Sequence, residues 1–89
     1  MAWEIKFDES AKKELKRIDR KSADRLVSFL RDRVSVSKNP RVLGTALKGS
    51  RLGEFWKYRV GDYRLIVKIQ DNIFIIVVLR VGHRREVYR

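Results

Sequence analysis

Hydrophobic residues recur along this chain with two periods, and the breaks between the periods fall at polar corners. Over residues 2–7, Trp3, Ile5 and Phe7 alternate with Glu4 and Lys6, the spacing of a strand with one buried face. Asp8 then offers an N-cap oxygen, Glu9 places negative charge where a helix dipole favours it, and Ala11, Leu15 and Ile18 follow at helical spacing. A short amphipathic helix from about Glu9 to Ile18 is the expectation. Beyond the polar corner Asp19-Arg20-Lys21, the residues Ala23, Leu26, Val27, Leu30 and Val34 mark a second helix, and Asn39-Pro40 stops what is left of it. So short a corner requires the two helices to form a hairpin. Their Lys and Arg residues alternate with acids at close spacing and read as a solvated face.

In the second half the period switches to two. Three strands are expected, about Glu54 to Val60, Tyr63 to Gln70 and Ile73 to Val81, joined by Gly61-Asp62 and Asp71-Asn72, pairs suited to two-residue turns. Residues 38–53 read as a connector rich in Gly, Ser, Lys and Arg, with Leu43, Leu47 and Leu52 able to pin it to the core. The expected fold is therefore α+β: an N-terminal strand, a two-helix hairpin, then a three-stranded antiparallel meander, forming one sheet packed on the helices. The last strand is apolar on both faces, so it should be central. The helix pair should cover Trp56, Tyr58, Leu65, Val67, Phe74, Ile76 and Val78. Across the Gly61-Asp62 turn Arg59 faces Arg64, and alternation puts Lys57, Arg59 and Arg64 on one face, with Trp56, Tyr58, Val60 and Leu65 on the other. Like charges opposed on a ladder cost about 0.2 to 1 kcal/mol, so an anion is expected over the cationic face.

Composition narrows the class. Eighty-nine residues at 44% hydrophobic suffice for a single domain, 1–89, with one core. The absence of cysteine excludes a disulfide framework and a thiolate metal site. The start lacks a signal-peptide core, and the longest apolar run, Ile73 to Leu79, is far short of a bilayer span, so a cytoplasmic protein without membrane attachment is expected. The formal charge is +11, and it is uneven: residues 38–89 hold twelve basic and four acidic side chains, against ten and seven in residues 1–37. The excess lies with the cationic strands, and a field of that sign attracts polyanions.

The same residues limit the chemistry. A lone histidine, scattered carboxylates and the lack of phosphate-loop, zinc or EF-hand spacing point to no metal and no cofactor. No serine sits in a nucleophile-elbow context. A set of guanidinium and ammonium groups, one imidazole and one tyrosine suits cleavage of RNA by its own 2′-hydroxyl, because nucleophile and leaving group then both belong to the substrate and the protein need only orient and neutralise the phosphate. Acid–base help would come from His83, Lys57 or Tyr88, and Tyr88 is equally able to stack on a base. Lys48 and Arg51, flanking Gly49, and Arg85 in the tail are further candidates for RNA backbone contact.

Taken together these stretches resemble the RelE family of toxin–antitoxin systems. The resemblance runs nearly end to end: the helix hairpin ending in Asn39-Pro40, Leu47-Lys48-Gly49, Trp56-Lys57-Tyr58-Arg59-Val60-Gly61-Asp62-Tyr63-Arg64, and Val81-Gly82-His83-Arg84-Arg85-Glu86-Val87-Tyr88. It implies a metal-independent endoribonuclease that cuts mRNA in the ribosomal A site and is neutralised by a cognate RelB-like antitoxin wrapped around it. It also implies that Lys57 and Arg59 contact the scissile phosphate, that Arg64 stabilises the transition state, that Arg84 lies near the leaving 5′-oxygen, and that Tyr88 stacks on a substrate base. The second-strand pair is lysine-lysine in the best-known members, so Arg59 shifts any proton-accepting role to Lys57 or His83. A ParE-like inhibitor of DNA gyrase, which shares the fold, and a non-catalytic RNA-binding module are the alternatives.

Overall fold

The computed structural model describes residues 2–47 and 55–83. Helix α1, Glu9–Arg17, starts on Asp8, whose carboxylate accepts from the Ser10 N–H at 3.4 Å. Helix α2, Arg20–Phe29, starts on Asp19, which accepts from the Ser22 N–H at 2.9 Å. Hydrogen bonding to Ser22 also holds the Asp19 carboxyl below the usual carboxylate range. The helical path continues through one wide turn, Leu30–Val34, closed by Ser35 N–H donating to the Leu30 carbonyl at 2.8 Å.

Here the chain is tied back to its beginning. The Ser35 hydroxyl donates to the Trp3 carbonyl at 2.7 Å, Trp3 N–H donates to the Ser35 carbonyl at 2.7 Å, and the buried indole donates to the Ser37 carbonyl at 3.1 Å. Strand β1, Glu4–Phe7, is anchored this way at the foot of the helix pair.

Four more strands complete the sheet: β2, Thr45–Ala46; β3, Phe55–Val60; β4, Tyr63–Gln70; and β5, Ile75–His83. Their order is β1-β5-β4-β3-β2, with β1 parallel to β5 and every other pairing antiparallel. The core lies between the helices and one face of this sheet, where Tyr58, Leu65, Val67, Ile76, Val78 and Val81 meet Leu26, Leu30 and Val34. Each fully buried aliphatic side chain contributes about 1.5 to 3 kcal/mol through area removed from water. On the far face Ile75, Val77 and Leu79 are only half-buried, as expected for a sheet covered fully on one side.

Three details depart from the pattern-based expectation. A two-residue strand, β2, is added beyond β3. The connection after β4 is not a two-residue turn: Asp71–Ile73 forms a helical turn and Phe74 takes a left-handed backbone, φ 52°, so β5 begins at Ile75. Phe74 consequently leaves the helix-facing set and packs on Trp3, ring centroids 5.1 Å apart, while its carbonyl accepts from Glu4 N–H at 2.9 Å. Finally, Val67 opposes Val78 whereas Ile66 opposes Arg80, so Leu79 is an extra residue on β5 and inverts the side-chain phase beyond it.

Candidate functional site: a cationic basin on the open face of the sheet

The β3–β4 hairpin turns where the sequence predicts, at Gly61-Asp62, with Gly61 at φ 60°, the left-handed region that glycine enters without steric cost. Arg59 pairs with Arg64 and Val60 with Tyr63. Strict alternation on both strands then sends Lys57, Arg59 and Arg64 to the face away from the helices. All three line one open hollow of about 440 Å³. Arg59 is exposed, while Lys57 and Arg64 are half-buried.

The far wall of this basin comes from a segment with no clear periodicity. Asn39 caps a single helical turn, Pro40–Leu43, by accepting from Arg41 N–H at 3.2 Å, and the chain then runs through Gly44 into β2, where Thr45 stands opposite Lys57. Val42, Leu43, Gly44 and Thr45 face the three cations across the hollow. Two ties hold the wall in place. The buried Tyr58 hydroxyl donates to the Pro40 carbonyl at 2.8 Å, and burial pushes that phenol up to about 12. The Arg41 guanidinium donates twice to Asp71, at 2.8 and 2.7 Å, and lies 5.8 Å from the centre of the Trp56 ring. The hydrogen bonds from Arg41 hold the Asp71 carboxyl below its ordinary value. Sequence reading missed this wall; the available signal was Asn39-Pro40 followed within a few residues by an isolated glycine.

His83 is not part of the basin. It lies at the end of β5 opposite Tyr63, rings edge to face at 5.9 Å, and lines a different hollow on the helix side with Glu14 and Asp19. Alternation counted straight on from Ile76 and Val78 would have put it on the basin face, and the extra residue at Leu79 reverses this. Of the candidates for acid–base help, His83 and Lys57 thus line different hollows, on opposite faces of the sheet. Opposite Arg64 on β5 stands Gly82, which brings no side chain. Lys48, Arg51, Arg84, Arg85 and Tyr88 lie outside the described residues. Among the described residues, no three His, Asp or Glu side chains gather as metal ligands.

Lys57, Arg59 and Arg64 give the basin a cationic lining, and guanidinium groups receive anions with paired donors.

The chain matches known proteins over nearly its whole length. A family model described as the ParE toxin of type II toxin-antitoxin systems matches residues 5–88. Toxin RelG of Mycobacterium tuberculosis is 30% identical over 89 residues, covering 100% of this chain and 99% of that protein. The mRNA interferase toxin RelE of Escherichia coli is 32% identical over 90 residues, covering 99% and 92%. Among solved structures, a RelBE toxin-antitoxin complex from Mycobacterium tuberculosis superposes with a TM-score of 0.82 at 27% identity, covering 94% of this chain and 100% of that one. A mutant E. coli RelE toxin in the free state gives 0.79 at 28%, covering 99% and 92%. Matched from end to end by the family model and by these relatives, the chain belongs to the RelE family of type II toxins, within the wider group that the ParE toxin model describes.

Proposed function

We propose that this protein is a metal-independent endoribonuclease that cuts mRNA in the ribosomal A site, halts translation from the cytoplasm, and is held inactive by a cognate RelB-like antitoxin. The observation that carries this reading is the convergence of Lys57, Arg59 and Arg64 on one basin. In the reaction the substrate's 2′-hydroxyl gives up its proton and its oxygen attacks the adjacent phosphorus, the bond to the 5′-oxygen breaks, and that oxygen takes a proton from water, giving a 2′,3′-cyclic phosphate and a 5′-hydroxyl. Charge builds on the non-bridging oxygens, where fixed cations act without having to reorganise. Arg59 and Arg64 fit that task, since a guanidinium stays protonated and serves as a donor rather than a base. Lys57 is the basin residue suited to taking the 2′-proton. Arg84 at the leaving oxygen and Tyr88 stacked on a base carry over from the resemblance. Relatives named mRNA interferase, and RelB complexes among the similar structures, support the substrate and the partner.

Primer extension on mRNA in translating ribosomes tests this. Wild-type protein should leave discrete stops within codons. Arg64→Ala should reduce them about 10² to 10³-fold, the cost of losing one transition-state donor. Undiminished cleavage by Arg64→Ala would sink the proposal. The ParE description of the matching family favours gyrase inhibition as the second reading. Loss of supercoiling without mRNA cleavage would select it.

A further inference from the structure

Arg59 lines two hollows. The second, also of about 440 Å³, lies over the rim of β3 between α2 and the β3–β4 turn, and Arg25, Phe29, Arg33 and Gly61 line it as well. Among the described residues β2 stops opposite Lys57, which leaves the rim of β3 toward the turn open, and α2 packs beside β3. Arg25 is placed directly over the turn: a methyl group on Gly61 would fall 2.9 Å from its Nη1. Arg33 is held above the Phe29 ring at 5.9 Å, and Phe29 is itself fixed edge-on against Tyr58 at 5.6 Å.

Among the described residues one carboxylate borders this groove, Asp32, and Arg31 engages it through Nε to Oδ1 at 2.9 Å and Nη2 to Oδ2 at 3.4 Å. No ion pair among the described residues engages Arg25, Arg33 or Arg59. The three guanidinium groups thus continue from the basin across the strand edge to the helix. A self-screened surface would pair such charges with acids, as α1 does with Lys12 and Glu9 at 3.4 Å.

We propose that this groove binds the phosphodiester backbone of the RNA strand on one side of the scissile phosphate, with Arg25 and Arg33 each contacting a flanking phosphate. The inference rests on the ribonuclease reading of the basin and extends it to the substrate's length. Continuity through Arg59 favours an RNA chain over an acidic protein segment. A peptide partner needs desolvated pockets for anchoring side chains, whereas the apolar part of this groove is the nearly buried Val60 and Phe29, whose ring Arg33 flanks. A strand of evenly spaced phosphates needs only a line of cations.

The test uses full-length protein and end-labelled 2′-O-methyl RNA, whose blocked nucleophile prevents cleavage, as a trinucleotide and as a dodecanucleotide. Binding is read by fluorescence anisotropy across a potassium chloride series. Arg25→Ala/Arg33→Ala should weaken dodecanucleotide binding roughly tenfold and make its log–log salt slope shallower by about 1.4, at ~0.7 per lost phosphate contact. Trinucleotide binding should not change. Both arginines are exposed, so the fold should survive, and Arg25→Lys/Arg33→Lys should keep most of the slope. Arg64→Ala should weaken both lengths. If it weakens neither while the helix pair still matters, the basin reading fails and the groove stands. An unchanged dodecanucleotide slope in Arg25→Ala/Arg33→Ala overturns the proposal. So does a loss confined to binding of a polyglutamate peptide, which would mark the groove as a protein contact.

Discussion

Replacing Gly44 by alanine adds one methyl group where the basin wall meets β3. The backbone there is extended, φ −141° and ψ −164°, a conformation open to any residue, so conformation is not what selects glycine. Space is. A Cβ at this position would fall 2.4 Å from the Lys57 carbonyl oxygen and 2.6 and 2.8 Å from two carbons of the Tyr58 ring. Neither neighbour yields cheaply, because one is the backbone of β3 and the other is wholly buried with its hydroxyl bound to Pro40. The wall must therefore move outward by on the order of 1 Å, since packed interiors hold no spare volume. Forcing a methyl into such a site costs about 1 to 3 kcal/mol. For a domain of this size each kcal/mol lowers the melting temperature by about 4 to 8 °C, so Gly44→Ala should melt roughly 5 to 20 °C below wild type. Far-ultraviolet circular dichroism with calorimetry measures this, and Thr45→Ala, an exposed neighbour, should stay within about 0.5 kcal/mol as the control. The variant should also bind the trinucleotide less tightly, because Lys57 belongs to both the clash and the basin. A Gly44→Ala protein that melts with the wild type would refute the account of how the wall is held.

Tyr58→Phe removes the donor to the Pro40 carbonyl and should cost about 1 to 3 kcal/mol at neutral pH, read by urea unfolding. In wild type the folded phenol titrates at about 12 against 10.0 in an ordinary environment. Between those values the unfolded chain releases a proton that the folded one keeps, so this part of the stability is whole below pH 10 and declines as pH rises toward 12. Tyr58→Phe should lose that alkaline slope, and a variant that keeps it contradicts the assignment. Glu14 accepts from the Val81 backbone N–H at 2.8 Å and from Arg80 Nη2 at 3.0 Å, closing the edge of β5 that β1 leaves uncovered. Glu14→Ala should cost about 1 to 3 kcal/mol and speed amide exchange at Val81, while Glu14→Gln, which keeps an acceptor, should cost less; equal losses would argue against the edge bond. His83→Ala should leave mRNA cleavage near the wild-type rate, whereas Lys57→Ala should lower it about 10² to 10⁴-fold, the range for a positioned proton acceptor. Equal losses in the two would return the imidazole to the reaction.

The sequence by itself determined the features that depend on local geometry. Side chains alternate along any strand, so the division of Lys57, Arg59 and Arg64 from Trp56, Tyr58 and Val60 was legible once Gly61-Asp62 was read as a turn, and both faces came out as expected. Helical spacing and the Asp8 cap likewise placed the start of α1 without reference to anything distant. The tertiary structure decided what depends on contacts remote in the chain. β1 runs parallel to β5 because Trp3 is tied to Ser35, and neither residue carries a pattern that names the other. One extra residue at Leu79 inverts the phase of β5 and moves His83 to the other side of the sheet; a bulge is a property of two paired strands and leaves no mark in the periodicity of one. The basin wall at Val42 to Thr45, and the groove in which Arg25 and Arg33 of a helix join Arg59 of a strand, arise where elements from different parts of the chain pack together. Periodicity tells each residue which way to face, and packing alone decides what stands opposite.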